Sequence, residues 1–367
     1  MEEWIKCPLG DILNFRRGHD LPKTSMIPGD IPVAGSNGII GFHNVSTPIS
    51  PCITIGRSGN VGTPYIYDKC WAHNTVLYID DYKGNDPKYL YYLLKTLPLA
   101  SFGGGSAVPT LNRNHIHPLE VDFCRDIELQ KKIAGILSKI DDKIEINNQI
   151  NDNLEQQAQN IFNYYFINNP IELGSYSEGV LTDIAVYLNG LAMQKFRPEG
   201  SDFGLPVLKI KELGQRSCDN NSDRCSSLIK EEYIVNDGDV IFSWSGTLLV
   251  DLWCGGKCGL NQHLFKVTSD TYPKWFYYFW TKHHLDNFIR VAKDKAVTMG
   301  HIKRTELEKA NIIVPTQDKL SEINRIMSPI ITKIINHRVE MRKLGQLRDI
   351  ILPQLMSGEL KINEIDC

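Results

Sequence analysis

The longest pattern in the sequence is a seven-residue repeat of apolar positions, which occurs twice. The first copy has Ile133, Ile140, Asn147 and Leu154 on one track and Leu137 and Ile144 on the other. The second copy has Ile323, Ile330, His337 and Leu344 on one track and Ile334 on the other. Such heptads are typical of helices that pair in coiled coils. The sequence therefore predicts two long helices, within residues 127–168 and 317–361.

Each helix has a polar residue in the middle of its apolar track, and the two breaks correspond. Asn147 matches His337 in the repeat. A polar residue at such a position costs stability and fixes the register, so the match favours pairing of the two helices with each other. The segment 168–177 is too short to return the chain along a helix, which predicts an antiparallel pair. Two alternatives are a seam between separate chains and a helix packed on its own domain.

The remaining sequence alternates short apolar runs with Gly, Pro and Asn turns, which predicts two compact mixed domains, head 1 at 1–126 and head 2 at 169–316. The predicted elements of head 1 are strands at 31–34, 52–56, 65–67, 76–79 and 119–123 and a helix at 88–95. Those of head 2 are strands at 207–210, 239–243, 264–267 and 312–314 and a helix at 274–281.

The two heads are copies of one another. Residues 54–59 recur as 241–246, Asn74 recurs as Asn261, and residues 87–92 return as 273–278. A duplicated head with its own trailing helix predicts an internal pseudo-two-fold repeat, suited to a partner with two sites. The predicted architecture is α+β: two globular heads joined and held apart by two long antiparallel coiled-coil helices.

Composition adds limits to this picture. The net charge of −3 gives no overall basic signal, so any contact with nucleic acid must be a local patch. Apolar runs are too short to span a bilayer and the start is not that of a signal peptide, which predicts a soluble, cytoplasmic protein. The nine cysteines include pairs at 218/225 and 254/258, whose spacings do not match a zinc site. We predict no metal.

Candidate chemistry is that of binding, because phosphate-loop, nucleophile-elbow and zinc-protease motifs are not found in the sequence. Basic and polar loops carry residue types that contact phosphates and base edges. The candidates in head 1 are Arg16, Arg17, Lys23, Arg57, Ser58, Asn60, Arg113 and Asn114. Those in head 2 are Lys195, Trp244, Ser245, Arg290, Lys293, Lys295, Lys303 and Arg304. Surface loops are often rich in such residues without any ligand.

Several motifs together resemble the specificity subunit of type I restriction–modification systems, over essentially the whole chain. They are the opening segment 4–12, the paired turns 56–59 and 243–246, the segment 109–112, the helix start 128–133 and the closing segment 352–360. The closing segment and the duplicated domain-plus-helix plan carry most of this resemblance.

The resemblance implies a non-catalytic subunit whose heads are target recognition domains, each reading one half of a bipartite site in double-stranded DNA. The helices would set the spacer and dock two methyltransferase subunits, which use S-adenosylmethionine. Two restriction and translocase subunits would complete the assembly. Since Arg57 and Trp244 differ at matching turns, the two half-sites are expected to differ. The alternatives are a protein–protein scaffold with paired binding heads and an enzyme with an unrecognised site.

Overall fold

The computed structural model describes residues 4–103, 110–294 and 301–362 of the chain. The chain divides into two compact units. Unit 1 comprises residues 1–142 and 344–367, and unit 2 comprises residues 143–343. Head 1 lies in unit 1 and head 2 lies in unit 2. Among the described helices, none has an apolar stretch long enough to cross a lipid bilayer.

Unit 1 is built from nine short strands and four helices within its described residues. The strands are β1 (Trp4–Pro8), β2 (Asn14–Arg17), β3 (Ile31–Gly35), β4 (Gly38–His43), β5 (Cys52–Gly56), β6 (Pro64–Tyr67), β7 (Trp71–Ala72), β8 (Val76–Asp81) and β9 (Glu120–Cys124). The helices are α1 (Leu9–Ile12), α2 (Pro87–Thr96), α3 (Arg113–Ile116) and α4 (Ile127–Asn163), the last of which continues into unit 2.

Unit 2 contains counterparts of these strands and helices and several further elements. Its strands are β10 (Tyr176–Val180), β11 (Val186–Asn189), β12 (Leu205–Leu208), β13 (Arg224–Cys225), β14 (Ile234–Val235), β15 (Val240–Ser243), β16 (Leu249–Leu252), β17 (Cys258–Leu260), β18 (Leu264–Thr268) and β19 (Asn311–Pro315). Its helices are α5 (Leu181–Ile184), α6 (Ile210–Gln215), α7 (Lys274–His283), α8 (Leu285–Asp294), α9 (Arg304–Leu307) and α10 (Gln317–Ser357), which ends in unit 1.

The sheets confirm the internal duplication. Unit 1 has a four-stranded sheet in the order β2-β8-β5-β6, and unit 2 has β11-β18-β15-β16 in the same order. A second sheet in each unit holds a parallel pair, β3 with β7 in unit 1 and β12 with β17 in unit 2. A third sheet pairs the first strand of each head with its last, as β1-β9 and β10-β19. The predicted mixed α/β heads are therefore confirmed.

One predicted correspondence is shifted by one residue. The sequence aligned Asn74 with Asn261, but the backbone matches His73 to Asn261. The His73 N–H donates to the carbonyl of Ala34 at 3.0 Å, and the Asn261 N–H donates to that of Leu208 at 3.2 Å. The offset therefore changes by one between the turn after β5 and strand β8, which a comparison of residue types alone misplaced.

Each unit buries one face of a helix pair against its own head. In unit 1 the core includes side chains from the start of α4 and the end of α10. These side chains are Ile133, Ala134, Leu137, Leu352, Leu355 and Met356. In unit 2 the core takes side chains from the later part of α4 and the earlier part of α10, namely Ala158, Phe162, Ile323, Met327, Ile331 and Ile334. The helices are antiparallel within each unit, as predicted.

The polar breaks in the heptads do not meet each other. In unit 2 the buried Asn147 donates from Nδ2 to Glu340 Oε2 at 2.8 Å. His337 Nδ1 lies 3.1 Å from Asn151 Oδ1. Asn151 Nδ2 in turn donates to the carbonyl of Ile334 at 3.3 Å. Corresponding positions in the repeat therefore do not imply direct contact, since each polar residue finds its partner about one helical turn away from the other break.

The predicted coil residues all lie on the two long helices, with unequal burial. Ile133, Leu137, Asn147, Ile323 and Ile334 are buried, and Ile140, Ile144, Leu154, Ile330, His337 and Leu344 are half-buried. Towards the end of α4 the buried positions fall four residues apart, at Ala158, Phe162 and Phe166. This change in the spacing of buried positions begins before the π-helical turn Tyr164–Asn168 and continues into it.

The predicted strands and helices of the heads are present with shifts of one to two residues, with one exception. Ile210 was expected to end a strand but begins α6, because strand β12 already stops at Leu208. Short strands such as β7 and β13, each of two residues, were not predicted. A two-residue strand has no alternation that a sequence pattern could reveal.

Candidate nucleic-acid interface

A tight turn after strand β5 presents Arg57. The Arg57 N–H donates to the carbonyl of Thr75 at 2.8 Å, and the Arg57 carbonyl accepts from the N–H of Leu111 at 2.7 Å. Gly56 closes this turn, since a Cβ there would lie 1.7 Å from the carbonyl oxygen of Asn60. The backbone thus fixes the place from which the arginine side chain extends.

The equivalent turn in unit 2 follows strand β15 and presents Trp244. Its N–H donates to the carbonyl of His263 at 3.4 Å, and its carbonyl accepts from the N–H of Ile302 at 3.1 Å. The buried Ser243 stands at the place of the closing glycine, and its hydroxyl donates to the carbonyl of Thr247 at 2.8 Å. The same backbone bonds surround both turns, so Trp244 is the structural counterpart of the arginine in unit 1.

A cavity of about 410 Å³ in unit 1 gathers four arginines. Strand β2 supplies Arg16 and Arg17, the turn supplies Arg57, and helix α3 supplies Arg113. The other described lining residues are Leu77, Thr110, Leu111 and Asn112, none of which is acidic. Arg17 lies 3.7 Å from Asp20, but both side chains are more than half exposed, so the pair offsets little charge.

Two of the four guanidinium groups of this cavity are held by backbone carbonyls. Arg57 Nη1 donates to the carbonyl of Asn74 at 3.4 Å, and Arg113 Nη1 donates to that of Phe15 at 3.2 Å. Burial, and then the positive charge of Arg17, lower the pKa of Arg57. Cations that repel one another in a cavity whose described lining has no acidic residue favour an anionic ligand, and arginine suits phosphate and guanine edges.

The counterpart region of unit 2 is aromatic. Trp244 Nε1 donates to Asn189 Oδ1 at 3.0 Å. The Trp244 ring centroid lies 5.7 Å from that of Phe265, 6.1 Å from that of His263 and 6.3 Å from that of His301. Rings of this kind stack on bases or contact thymine methyl groups, so the two heads present different chemistry at the same place.

The basic segment predicted at residues 290–304 is divided between elements. Lys303 and Arg304 follow Ile302, which bonds to the Trp244 turn, and they stand where Asn112 and Arg113 stand in unit 1. Arg290 and Lys293 are exposed on helix α8. Lys295 lies outside the described residues. Lys303 and Arg304 are therefore the members of this segment that adjoin the turn.

The other predicted residues occupy varied places. Lys23 is exposed on a 3-10 turn and does not line the arginine cavity, and Lys195 is exposed on another such turn in unit 2. Ser58 and Ser245 form equivalent backbone bridges, to Thr110 and to His301. Asn60 and Asn114 are exposed beside Arg57 and Arg113. The DNA contacts of all these residues stay a prediction.

A second basic cavity, of about 430 Å³, was not predicted from the sequence. It lies in unit 2 and is lined by Arg197, Lys209 and Arg224, with Asp223 and Asn261. Its cations are separated by up to 27 positions in the chain, and strand β13, which brings Arg224 to it, was not predicted. The basic-aromatic run at 195–197 was the available sequence signal.

The cysteines in the described part of the chain are free thiols. Within the described residues, no group of three or more histidine, cysteine or acidic side chains is placed to hold a metal ion. Burial raises the pKa of Cys254 to about 11, so this thiol stays protonated at neutral pH. The described side chains at both turns are suited to binding.

Comparison with known proteins gives matches over most of the chain. Residues 1–156 and 178–343 match a family model described as the type I restriction modification DNA specificity domain. The MjaIX specificity subunit of Methanocaldococcus jannaschii is 28% identical over 306 residues, which cover 76% of this chain and 70% of that protein. The HindI specificity subunit of Haemophilus influenzae is 20% identical over 357 residues, covering 75% and 77%.

A solved structure shares the fold. The crystal structure of the type I restriction–modification S subunit from M. genitalium aligns with a TM-score of 0.67 and 15% sequence identity. The alignment covers 96% of each chain. The arrangement of two mixed domains with two long helices is thus found in a solved protein of low sequence identity.

Proposed function

We propose, since this chain belongs to the family of type I restriction–modification DNA specificity subunits, that each head reads one half of a two-part site in double-stranded DNA. A specificity subunit recognises DNA as part of a restriction–modification complex and has no catalytic activity of its own. Family membership does not favour the alternative of a protein scaffold that ignores DNA.

One observation carries the proposal of two different half-sites. The same backbone turn presents Arg57 among four arginines in unit 1 and Trp244 among aromatic rings in unit 2. Arginine pairs with guanine edges and phosphates, whereas aromatic rings favour stacking and thymine methyl groups. Head 1 is therefore expected to select a sequence with guanine, and head 2 a different one.

In the proposed complex, two methyltransferase subunits bind this chain and supply S-adenosylmethionine-dependent methylation of adenine. Two restriction and translocase subunits complete the assembly. This chain contributes the choice of sequence, and its partners contribute the chemistry.

Mapping methylated adenines tests recognition by two separate heads. In cells that carry this subunit with its methyltransferase, we expect methylation at one bipartite motif. Replacing residues 1–126 with head 1 of another specificity subunit should change one half of that motif and leave the other half intact. A motif unaltered by the exchange would contradict the proposal, and Lys88→Ala, on an exposed position of α2 away from the arginine cavity, is the control that should leave it unchanged.

We further propose that the helices set the gap between the half-sites. A helix pair about 50 Å long corresponds to a gap on the order of 14 base pairs, at 1.5 Å per residue and 3.4 Å per base pair. Seven residues inserted after both Asp142 and Lys343 should lengthen the gap by about three base pairs, because a heptad preserves the helix face. Sequencing of methylated sites measures the gap.

The matched control for this insertion adds four residues at the same two places. Four residues rotate the helix by roughly 40° and break the apolar track, so methylation should be lost rather than shifted. If the heptad variant methylated the original motif with an unchanged gap, the helices would not measure the distance.

Exposed isoleucines on α4 support docking of methyltransferase on the helices. Within unit 2, Ile146 is 51% exposed and Ile150 is 37% exposed, and they stand one helical turn apart. Adjacent exposed residues on this helix, such as Gln149 and Asn153, are polar. Two apolar side chains on one face of an otherwise polar surface are suited to a partner protein.

The double variant Ile146→Asp with Ile150→Asp should weaken association with methyltransferase at least tenfold. Each isoleucine contributes about 1.5 kcal/mol or more when buried, and each aspartate adds a cost of burying charge. The control pair is Gln156→Asp with Asn160→Asp, which adds the same charge at the same spacing on exposed positions. Co-purification and titration with methyltransferase measure the effect, and equal loss in both pairs would contradict this docking face.

A further inference from the structure

The basic cavity of unit 2 adjoins the Trp244 site. Asn261, which lines the cavity, accepts a hydrogen bond at Oδ1 from the N–H of His263 at 3.2 Å. His263 in turn bonds to the Trp244 turn and lies against its ring. The cavity and the aromatic cluster are therefore linked through Asn261 and His263.

The charge of this cavity is net positive. Arg197, Lys209 and Arg224 line it together with a single described carboxylate, that of Asp223. Lys209 pairs with Asp223, which holds the pKa of that carboxyl below its ordinary value. The two arginines are exposed. Such a surface attracts phosphates.

An exposed aromatic side chain belongs to the segment that the cavity residue Arg224 contacts. Phe203 is 91% exposed, the highest value among the large apolar residues that the structure describes, and Leu228 is 87% exposed. Arg224 donates from Nε to the carbonyl of Phe203 at 2.8 Å and from Nη2 to that of Gly204 at 2.7 Å. The guanidinium therefore lies directly beside the segment that carries the ring.

The segment that carries Phe203 is held in place by Asp202. Its carboxylate accepts hydrogen bonds from the hydroxyls of Ser226 and Ser227, both at 2.7 Å, and from the N–H of Gly204 at 2.8 Å. The hydrogen bonds from Ser226 and Ser227 hold the pKa of Asp202 well below its usual range. Because this carboxylate ties 202–204 to 226–227, Phe203 and Leu228 extend from one fixed support.

We propose that head 2 inserts the Phe203 ring between stacked base pairs of its half-site, while Arg197 and Arg224 hold the adjacent phosphates. The inference rests on the proposed function and adds a DNA-deforming contact to it. Burial of the ring of an apolar wedge offsets the free-energy cost of unstacking a base step. Neighbouring cations reduce the repulsion between the phosphates that kinked DNA brings together. Because Asp202 already fixes the segment that carries Phe203, the protein loses less conformational entropy when the ring inserts.

Charge decides between DNA and a protein partner as the occupant. A ring beside exposed, weakly compensated arginines is complementary to a polyanion. Exposed apolar side chains also occur in unit 1, at Ile39 and Phe42 of strand β4, where the arginine cavity is formed by other elements. Because exposed apolar side chains of this kind also suit a protein partner, the experiment must be able to detect a protein interface at Phe203.

The experiment uses the complex of this chain with its methyltransferase and a duplex carrying the mapped methylation site. 2-Aminopurine replaces adenine at successive positions of the half assigned to head 2. Apart from the methylated adenine, which the methyltransferase itself takes out of the stack, we expect fluorescence to rise several-fold at one step with the unaltered chain, since the probe brightens when it is unstacked. Phe203→Ala should abolish this rise and weaken binding about tenfold, and Phe203→Trp should retain both.

The control is Ile171→Ala, because Ile171 is 82% exposed in unit 2 and does not line the cavity. It should leave fluorescence and affinity unchanged. Arg197→Ala with Arg224→Ala should reduce the slope of log affinity against log salt by about two. Unchanged fluorescence in Phe203→Ala would overturn the proposal, and loss of methyltransferase binding without DNA would assign the ring to a protein interface. If the unaltered complex methylates no bipartite motif, the proposed function itself fails.

Discussion

Replacement of Arg57 by lysine is expected to relax the sequence preference of head 1 while leaving the salt dependence of binding unchanged. Lysine keeps the charge but cannot form the two parallel hydrogen bonds by which arginine pairs with a guanine edge. The expected loss is about 1–3 kcal/mol of discrimination at one base pair, or roughly fivefold to 140-fold. Competition binding of the methyltransferase complex to duplexes altered at single positions measures it.

Two comparisons separate base reading from phosphate contact in this cavity. Arg16→Ala with Arg17→Ala should weaken binding to all sequences alike and lower the salt slope by about two, because these exposed side chains are placed for phosphates. Lys88→Ala, on an exposed position of α2 away from this cavity, should change neither property. An Arg57→Lys variant with unaltered preference at every base pair would show that Arg57 contacts only the backbone of the DNA.

Replacement of Arg338 by methionine is expected to destabilise unit 2 by about 3 kcal/mol, because it removes the partner of the half-buried Glu155 and leaves the buried Asp251 with the exposed Arg216 as its counter-charge. Arg338, on α10, donates to Asp251 Oδ1 at 2.8 Å, to the carbonyl of Leu252 at 2.8 Å and to Glu155 Oε1 at 2.7 Å. Arg338 and Asp251 are both buried. Burial alone would lower the pKa of Arg338, but the two carboxylates outweigh it and raise that pKa.

Urea unfolding followed by tryptophan fluorescence measures this effect, since four of the six tryptophans belong to unit 2. The matched control is Arg325→Met on the same helix, where the exposed side chain should matter by less than about 0.5 kcal/mol. Adding Glu155→Gln to Arg338→Met should recover part of the loss, because it removes the carboxylate charge that Arg338 offsets. Unfolding of Arg338→Met at the urea concentration of the unaltered chain would contradict a structural role for this network.

The sequence predicted the structural features that arise from periodic or repeated residues. The heptads located both helices, because an apolar residue at every seventh position over such a length is typical of a paired helix and not of a strand or a loop. The duplication identified the turns at Arg57 and Trp244 as equivalent before the contacts of either residue were known. A chain-wide pattern of this kind survives local irregularities such as the π-helical turn at the end of α4.

The sequence could not predict which distant side chains the register of the sheets brings together. Arg17, Arg57 and Arg113 are 40 and 56 residues apart, and a shift of one residue in β2 would turn Arg17 to the other face. Arg338 has a charged side chain, so its burial against Asp251 could only be found once the fold was known. The exposure of Phe203 was hidden for the opposite reason, because an isolated phenylalanine is usually part of a core.

The division of the chain into units has a consequence for the order in which the protein can mature during synthesis. Unit 2 is continuous, whereas unit 1 needs residues 344–367 to join residues 1–142. Leu352, Leu355 and Met356 belong to its core. At about 5–20 residues per second, the ribosome takes roughly 10–40 seconds to make the intervening stretch. The head made first is thus the head finished last, and until then Ile133 and Leu137 lack that cover, which makes this interval the one in which chaperone binding is expected to matter most.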